Sequence, residues 1–97
     1  MRIVIVGGGE VGFGLASTLA ARHEVVVIDQ NADSADRFEQ RDVEFRTGAG
    51  TSADVLTGAG ISRAALFVAG ADLDKVNLVA CGIANPLGAP QTICFVS

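Results

Sequence analysis

The sequence has no apolar run long enough to cross a bilayer. Runs such as Val25 to Ile28 fall far short of the roughly 20 residues a spanning helix needs. It has no basic cluster: 7 lysines and arginines stand against 11 acids, for a formal charge of −4. Without a positive patch to neutralise phosphates, nucleic acid is not an expected partner. Cysteine is scarce. Cys81 and Cys94 both lie in apolar surroundings. They lack the number and spacing of a metal set, so they read as reduced core thiols. His23 is the single histidine and Lys75 the single lysine. His23 falls at an expected helix end, where a solvated imidazole complements the negative terminus. Linkers, repeats and low-complexity stretches are missing too. Met1 runs directly into strand-like sequence, so no secretory leader is expected.

What is present is apolar and regularly patterned. Hydrophobic residues make up 49% and charged residues 19% of 97 positions, the balance of one small globular domain over 1–97. Arg2 to Val6 and Glu24 to Ile28 read as buried strands. Val43 to Arg46, Ala64 to Val68 and Gln91 to Val96 supply three more. Helices fall between them. Glu10 to Ala21 sets Val11, Leu15, Thr18 and Leu19 at helical spacing. Asn31 caps a helix from Ala32 to about Gln40. Thr51 or Ser52 caps a short one to about Thr57, which Gly58 and Gly60 end. Asp72 opens a long helix that buries Leu73, Val76, Val79, Ala80 and Ile83, and Asn85-Pro86 stops it. Five apolar strands alternating with helices predict an α/β fold, a Rossmann-like doubly wound parallel sheet in order 3-2-1-4-5 with helices on both faces.

The chemistry concentrates at the expected carboxyl edge of that sheet. Gly7-Gly8-Gly9-Glu10-Val11-Gly12 follows a strand, opens a helix and precedes a second strand ending in an acid, the full context of a dinucleotide fingerprint. Gly7 allows the tight turn, Gly9 a close backbone approach to a pyrophosphate, and Gly12 the packing of helix on strand. The helix start then offers free N–H groups to phosphate. Asp29, 17 residues beyond Gly12, is placed to accept hydrogen bonds from ribose hydroxyls and to repel a 2′-phosphate. Gln30 and Asn31 bring no arginine to bind one, which favours NAD(H) or an adenine nucleotide over NADP. Glu10 has the wrong sign to hold a γ-phosphate. It either points to solvent and complements the helix dipole or meets the ligand through a cation.

Two more loops reach the same edge. Thr47-Gly48-Ala49-Gly50-Thr51 flanks the adenine, with Gly50 allowing close approach and Thr51 capping the next helix or bonding the ligand. Ala69-Gly70-Ala71-Asp72 leaves room for phosphates or a second nucleoside, with Asp72 as the N-cap. No histidine, lysine or cysteine pair stands there in an acid–base arrangement, which points to a nucleotide sensor rather than an enzyme. Phe95, near the end of the last strand, either packs under a helix or is covered by further sequence or another subunit.

These residues together resemble the N-terminal nucleotide-binding domain of Trk-type potassium uptake regulators, the group also called RCK, KTN or TrkA-N domains. The resemblance runs along the whole chain. It includes the opening Met-Arg-Ile-Val-Ile-Val-Gly-Gly-Gly-Glu-Val-Gly, the Val-Val-Val-Ile-Asp of strand two, the Gly-Ala-Gly-Thr loop, Asp-Lys-Val-Asn-Leu-Val-Ala-Cys, and Gly-Ala-Pro-Gln-Thr-Ile. It implies a cytoplasmic subunit at the inner face of the membrane, paired or ringed beneath a membrane potassium transporter. There, NAD(H) or ATP/ADP or AMP would change the assembly's shape. Gly7, Gly9, Gly12 and Asp29 match the family's phosphate and ribose positions, and Gly50 and Thr51 its adenine-side loop. Three positions depart from the pattern: Ala49 replaces an acid, Ala71 a threonine or serine, and Phe95 an arginine. The family's C-terminal sensing domain and crossing helix are not in this sequence, as in a fragment or a short stand-alone version. The alternatives are the cofactor half of an NAD-dependent dehydrogenase and a nucleotide-free scaffold.

Overall fold

The computed structural model describes residues 1–39 and 41–96. Five parallel strands form one sheet: β1 (Arg2–Val6), β2 (Glu24–Asp29), β3 (Val43–Thr47), β4 (Leu66–Ala69) and β5 (Thr92–Cys94). Their order is β3-β2-β1-β4-β5, as the alternation of strand and helix predicts. β1 lies at the centre, with Val6 level with Ile28 of β2 and Ala69 of β4.

The two-residue period of a strand divides these apolar residues between two cores. Val4, Val6, Val26, Ile28, Phe67 and Ala69 face α2 (Ala53–Gly58) and α3 (Asp74–Ala84), where Leu56, Ala80 and Ala84 meet them. Ile3, Ile5, Val25, Val27 and Val68 face α1 (Glu10–Leu19) and a 3-10 helix (Ala32–Phe38) through Ala16 and Phe38. Phe38 anchors that second core, with ring centroids 5.4 Å from Phe13 and 5.7 Å from Phe45. Each fully buried valine, isoleucine or phenylalanine contributes about 1.5–3 kcal/mol. Burial on both faces is why the strands carry near-continuous apolar runs.

Several local expectations are corrected. α1 buries Gly12 and Ala16, while Val11 and Thr18 are exposed. α3 buries Asn77, Ala80 and Ala84, and leaves Leu73 and Val79 at least half exposed. The small residues win the sheet-facing stripe because they let the helix sit close. The segment after Asn31 is 3-10 rather than α, in keeping with a stretch whose one buried side chain is Phe38; its expected end at Gln40 lies outside the described residues. Asn31 does cap it, accepting from the Asp33 N–H at 3.0 Å. Of the two expected cap candidates Ser52 serves α2, accepting from Val55 N–H at 3.3 Å. Leu73, not Asp72, occupies the N-cap of α3 and makes no side-chain cap bond. β5 is three residues long, shorter than the expected Gln91 to Val96. His23 is half-buried, and among the described residues its Nδ1 has no hydrogen-bond partner, so it is no solvated cap. No helix among the described residues is long and apolar enough to cross a membrane.

Candidate functional site

Parallel strands all deliver their carboxyl ends to one edge, and the loops that leave β1, β2, β3 and β4 meet there. Gly7 leaves β1 with φ +112°, a conformation that a side chain strains. Its N–H donates to Ile28 O at 2.8 Å, holding the turn against β2. A Cβ on Gly7 would lie 2.7 Å from Gly70 O, and one on Gly12 would lie 1.7 Å from Gly7 O. Gly7 and Gly12 are therefore compelled by packing: the turn folds back on its own helix and abuts the loop after β4. Gly9 is different. It is the N-cap of α1 with φ −80° and no side-chain cap. A Cβ there would meet only Asp72 Oδ1, at 3.8 Å. The first intrahelical bond runs from Phe13 N–H to Gly9 O at 2.8 Å, so the first-turn N–H groups have no partner within the helix.

Asp29 ends β2 beside this turn. Its Oδ2 accepts from Gly8 N–H at 2.6 Å and its Oδ1 from Asn31 N–H at 2.8 Å. The carboxylate thus already fixes the turn, and Gly8 N–H is committed to it rather than free. Each carboxylate oxygen keeps a second lone pair for another donor. The Gly8 carbonyl is held as well: Arg37 Nη1 donates to Gly8 O at 3.2 Å, with its guanidinium 5.3 Å from the Phe13 ring centroid. Gln30 and Asn31 indeed bring no arginine, but the 3-10 helix returns one to the turn.

A cavity of about 440 Å³ opens at this edge, within the usual range for small-molecule sites, roughly 300–1,000 Å³. The structure brings Gly7, Gly9, Asp29, Gln30, Gly50 and Thr51 together around it. A smaller cavity of about 200 Å³ lies on the β4–β5 side, with Val11, Gly70, Phe95 and Val96 in its walls. Gly8, Gly12 and Ala69 are buried behind these cavities and line neither, while Glu10 is exposed on the first turn and also lines neither. Ala71 and Asp72 line both. Ala49 lines neither, so only Ala71 among the two alanine departures bears on this space. Phe95 is 39% exposed on the rim of the smaller cavity, not buried under a helix.

The sequence reading missed the apolar wall of the larger cavity. Leu73 and Val76 form it with Val6 and Ile28. Leu73 and Val76 looked like core, and the signal that could have separated them is the small-residue stripe Asn77, Ala80 and Ala84, which claims the sheet for itself. Among the described residues, Asp29 and Asp72 are the only charged side chains on the larger cavity, and no histidine, lysine, arginine or cysteine lines it. An anionic ligand there would rely on N–H groups and the helix dipole for its counter-charge. Away from both cavities, burial pushes the Cys81 thiol up to about 11, with the neighbouring Cys94 adding to the shift.

Residues 3–97 match the TrkA-N domain. The chain belongs to this family. A "Trk system potassium uptake protein TrkA homolog" of Archaeoglobus fulgidus is 40% identical over 96 residues, which cover 99% of this TrkA-N domain and 22% of that protein. The chain thus spans under a quarter of that relative's length. Among solved structures, the "GsuK channel bound to NAD" superposes with a TM-score of 0.80 at 29% identity, covering 93% of this chain and 17% of that one. The Shewanella denitrificans Kef CTD in its AMP-bound form gives 0.80 at 22% identity, over 96% of this chain and 57% of that one, a likeness of fold. In this TrkA-N domain Ala71 and Phe95 lie on the wall of the smaller cavity, on the β4–β5 side.

Proposed function

We propose that this TrkA-N domain, acting as one unit over 1–97, binds an adenine nucleotide, NAD(H) foremost, and regulates a Trk-like potassium uptake system by doing so. The observation that carries the reading is the open Gly9 position. It stands at the uncapped start of α1 and faces a cavity of nucleotide dimensions, with Asp29 on the same wall beside Gly8.

In this reading the diphosphate lies over Gly7 and Gly9 and takes hydrogen bonds from the N–H groups of Glu10 and Val11, with Gly8 and Gly12 shaping the turn behind them. Asp29 accepts from the ribose hydroxyls with its remaining lone pairs, beside Gln30. Gly50 and Thr51 flank the adenine. Ala69 and Gly70 lead the second nucleoside of NAD(H) into the smaller cavity, where Phe95 and Val11 offer an apolar face to its ring. AMP, ADP or ATP would occupy the larger cavity alone. Glu10 supplies no positive charge for a γ-phosphate, which sets ATP behind NAD(H). The Asp29 carboxylate disfavours the 2′-phosphate of NADP, and Arg37, tied to Gly8 O, offsets that only in part.

We read the site as one of binding without catalysis; among the described residues the larger cavity offers two carboxylates as its titratable groups. Ligand binding would act by population shift, favouring one arrangement of paired domains over another through differential affinity. The names of the relatives support the partner: one is a potassium uptake protein and another a channel bound to NAD. The reading includes a cytoplasmic position at the inner membrane face and a homodimer or ring. Isothermal titration with NADH, NAD, AMP, ATP and NADPH tests the reading. NADH should bind most tightly and NADPH at least tenfold more weakly. Tighter binding of NADPH, or no binding at all, overturns it.

A further inference from the structure

Asn77 is the one buried polar side chain among the described residues, at 1% exposure. A polar group so placed costs several kcal/mol unless its hydrogen-bonding capacity is met, and here it is met by two distant pieces of backbone. Its Oδ1 accepts from Ala71 N–H at 2.8 Å, and its Nδ2 donates to Ala71 O at 2.9 Å and to Phe95 O at 2.9 Å. Only an amide side chain does this, because one acceptor and two donors are needed from a single terminal group. Both polar atoms of the Ala71 residue are thereby pinned. Ala71 lines both cavities, and a Cβ on Gly7 would lie 2.8 Å from its nitrogen, so Ala71 and the glycine turn are in immediate contact. Phe95, the second partner, follows the edge strand β5 and stands on the rim of the smaller cavity.

We infer that Asn77 is the positioning residue that links the glycine turn, through Ala71, to the end of β5, so that occupancy of the larger cavity is felt at Phe95. This inference rests on the nucleotide reading above. The link is a short chain of contacts: ligand on Gly7 and Gly9, Gly7 against Ala71, Ala71 on Asn77, Asn77 on Phe95. Three hydrogen bonds on one side chain, itself 1% exposed at the wall of the smaller cavity, leave it little play. A displacement of Ala71 must either break two of these bonds or carry Asn77, and the Phe95 carbonyl with it.

The test uses AMP, because it lacks a second nucleoside that would touch Phe95 directly. Backbone amide resonances of the chain are followed during an AMP titration, first unaltered and then with Asn77→Asp. The substituted side chain keeps the size and the acceptor but loses the donor to both carbonyls. The unaltered chain should respond at Gly7, Ala71, Phe95 and Val96. Asn77→Asp should keep the Gly7 response, lose that at Phe95 and Val96, and bind AMP about tenfold more weakly. Asn77→Ser, which removes reach without adding charge, repeats the measurement if the aspartate variant unfolds. A Gly7 response with no Phe95 response in the unaltered chain overturns the inference alone, as does a Phe95 response that survives both substitutions. No response at Gly7 overturns the nucleotide reading, and this inference with it.

Discussion

Replacing Gly9 by alanine should separate binding from folding. The new methyl points into open space, its nearest neighbour Asp72 Oδ1 at 3.8 Å, and the φ of −80° suits any residue. Two opposing effects act on stability. Removing glycine from the unfolded chain stabilises by about 0.4–1 kcal/mol. Alanine is a poorer N-cap than glycine, by about 0.5–1 kcal/mol. They nearly cancel, so the midpoint of thermal unfolding should move by less than about 5 °C, given about 4–8 °C per kcal/mol in a domain of this size. Affinity should change far more. In the proposed pose the methyl occupies the space through which the diphosphate approaches the start of α1. Overfilling of about 1–3 kcal/mol corresponds to a loss of roughly 5–150-fold. Scanning calorimetry and NADH titration on the same sample give both numbers. An alanine variant that folds and binds NADH within twofold of the unaltered chain would refute the proposed pose. One that unfolds would refute the packing argument.

Gly12→Ala should behave in the opposite way: its Cβ would lie 1.7 Å from Gly7 O, a backbone clash worth about 3 kcal/mol or more, so thermal unfolding should show a large loss before any ligand is added. Gly50→Ala brings a methyl to 2.3 Å from Val6 Cγ1 and should cost about 1–3 kcal/mol. Combined with Val6→Ala, the total in urea unfolding should fall below the sum of the single changes, and simple additivity would contradict the contact. Cys81 carries a pH prediction. Its thiol in the folded chain is raised from 9.0 to about 11, so above pH 9 the unfolded chain releases a proton that the folded chain retains. Its contribution is intact below pH 9 and is lost as the pH rises through 11. The sequence has no tyrosine to confuse the measurement, and Cys81→Ala should flatten the decline; an unchanged slope would contradict the assignment.

The sheet was legible because its residues have little else to be. Runs such as Ile3 to Val6 and Val25 to Ile28 are β-branched and buried on both faces, and the turns between them carry strong glycine signals. The glycine turn was legible for the same reason: its spacing answers to covalent geometry and to contacts within a few residues. What was not legible depends on distant contacts. Whether Leu73 or Asn77 faces the sheet is decided by how closely α3 docks, not by periodicity alone. Which of Thr51 and Ser52 caps α2 is a margin of one residue that local preference cannot resolve. Arg37 reaches Gly8 across 29 positions of sequence. Asp29 could be placed at the edge from sequence, but its bond to Gly8 N–H could not, because that bond exists only once the turn has folded back onto β2.

The most direct test of the central claim is a crystal structure of the chain grown with NADH. The account predicts the diphosphate against the N–H groups of Glu10 and Val11, one ribose on Asp29, adenine beside Gly50 and Thr51, and the second ring toward Phe95. A ligand bound elsewhere, or one whose diphosphate does not touch the start of α1, would contradict it.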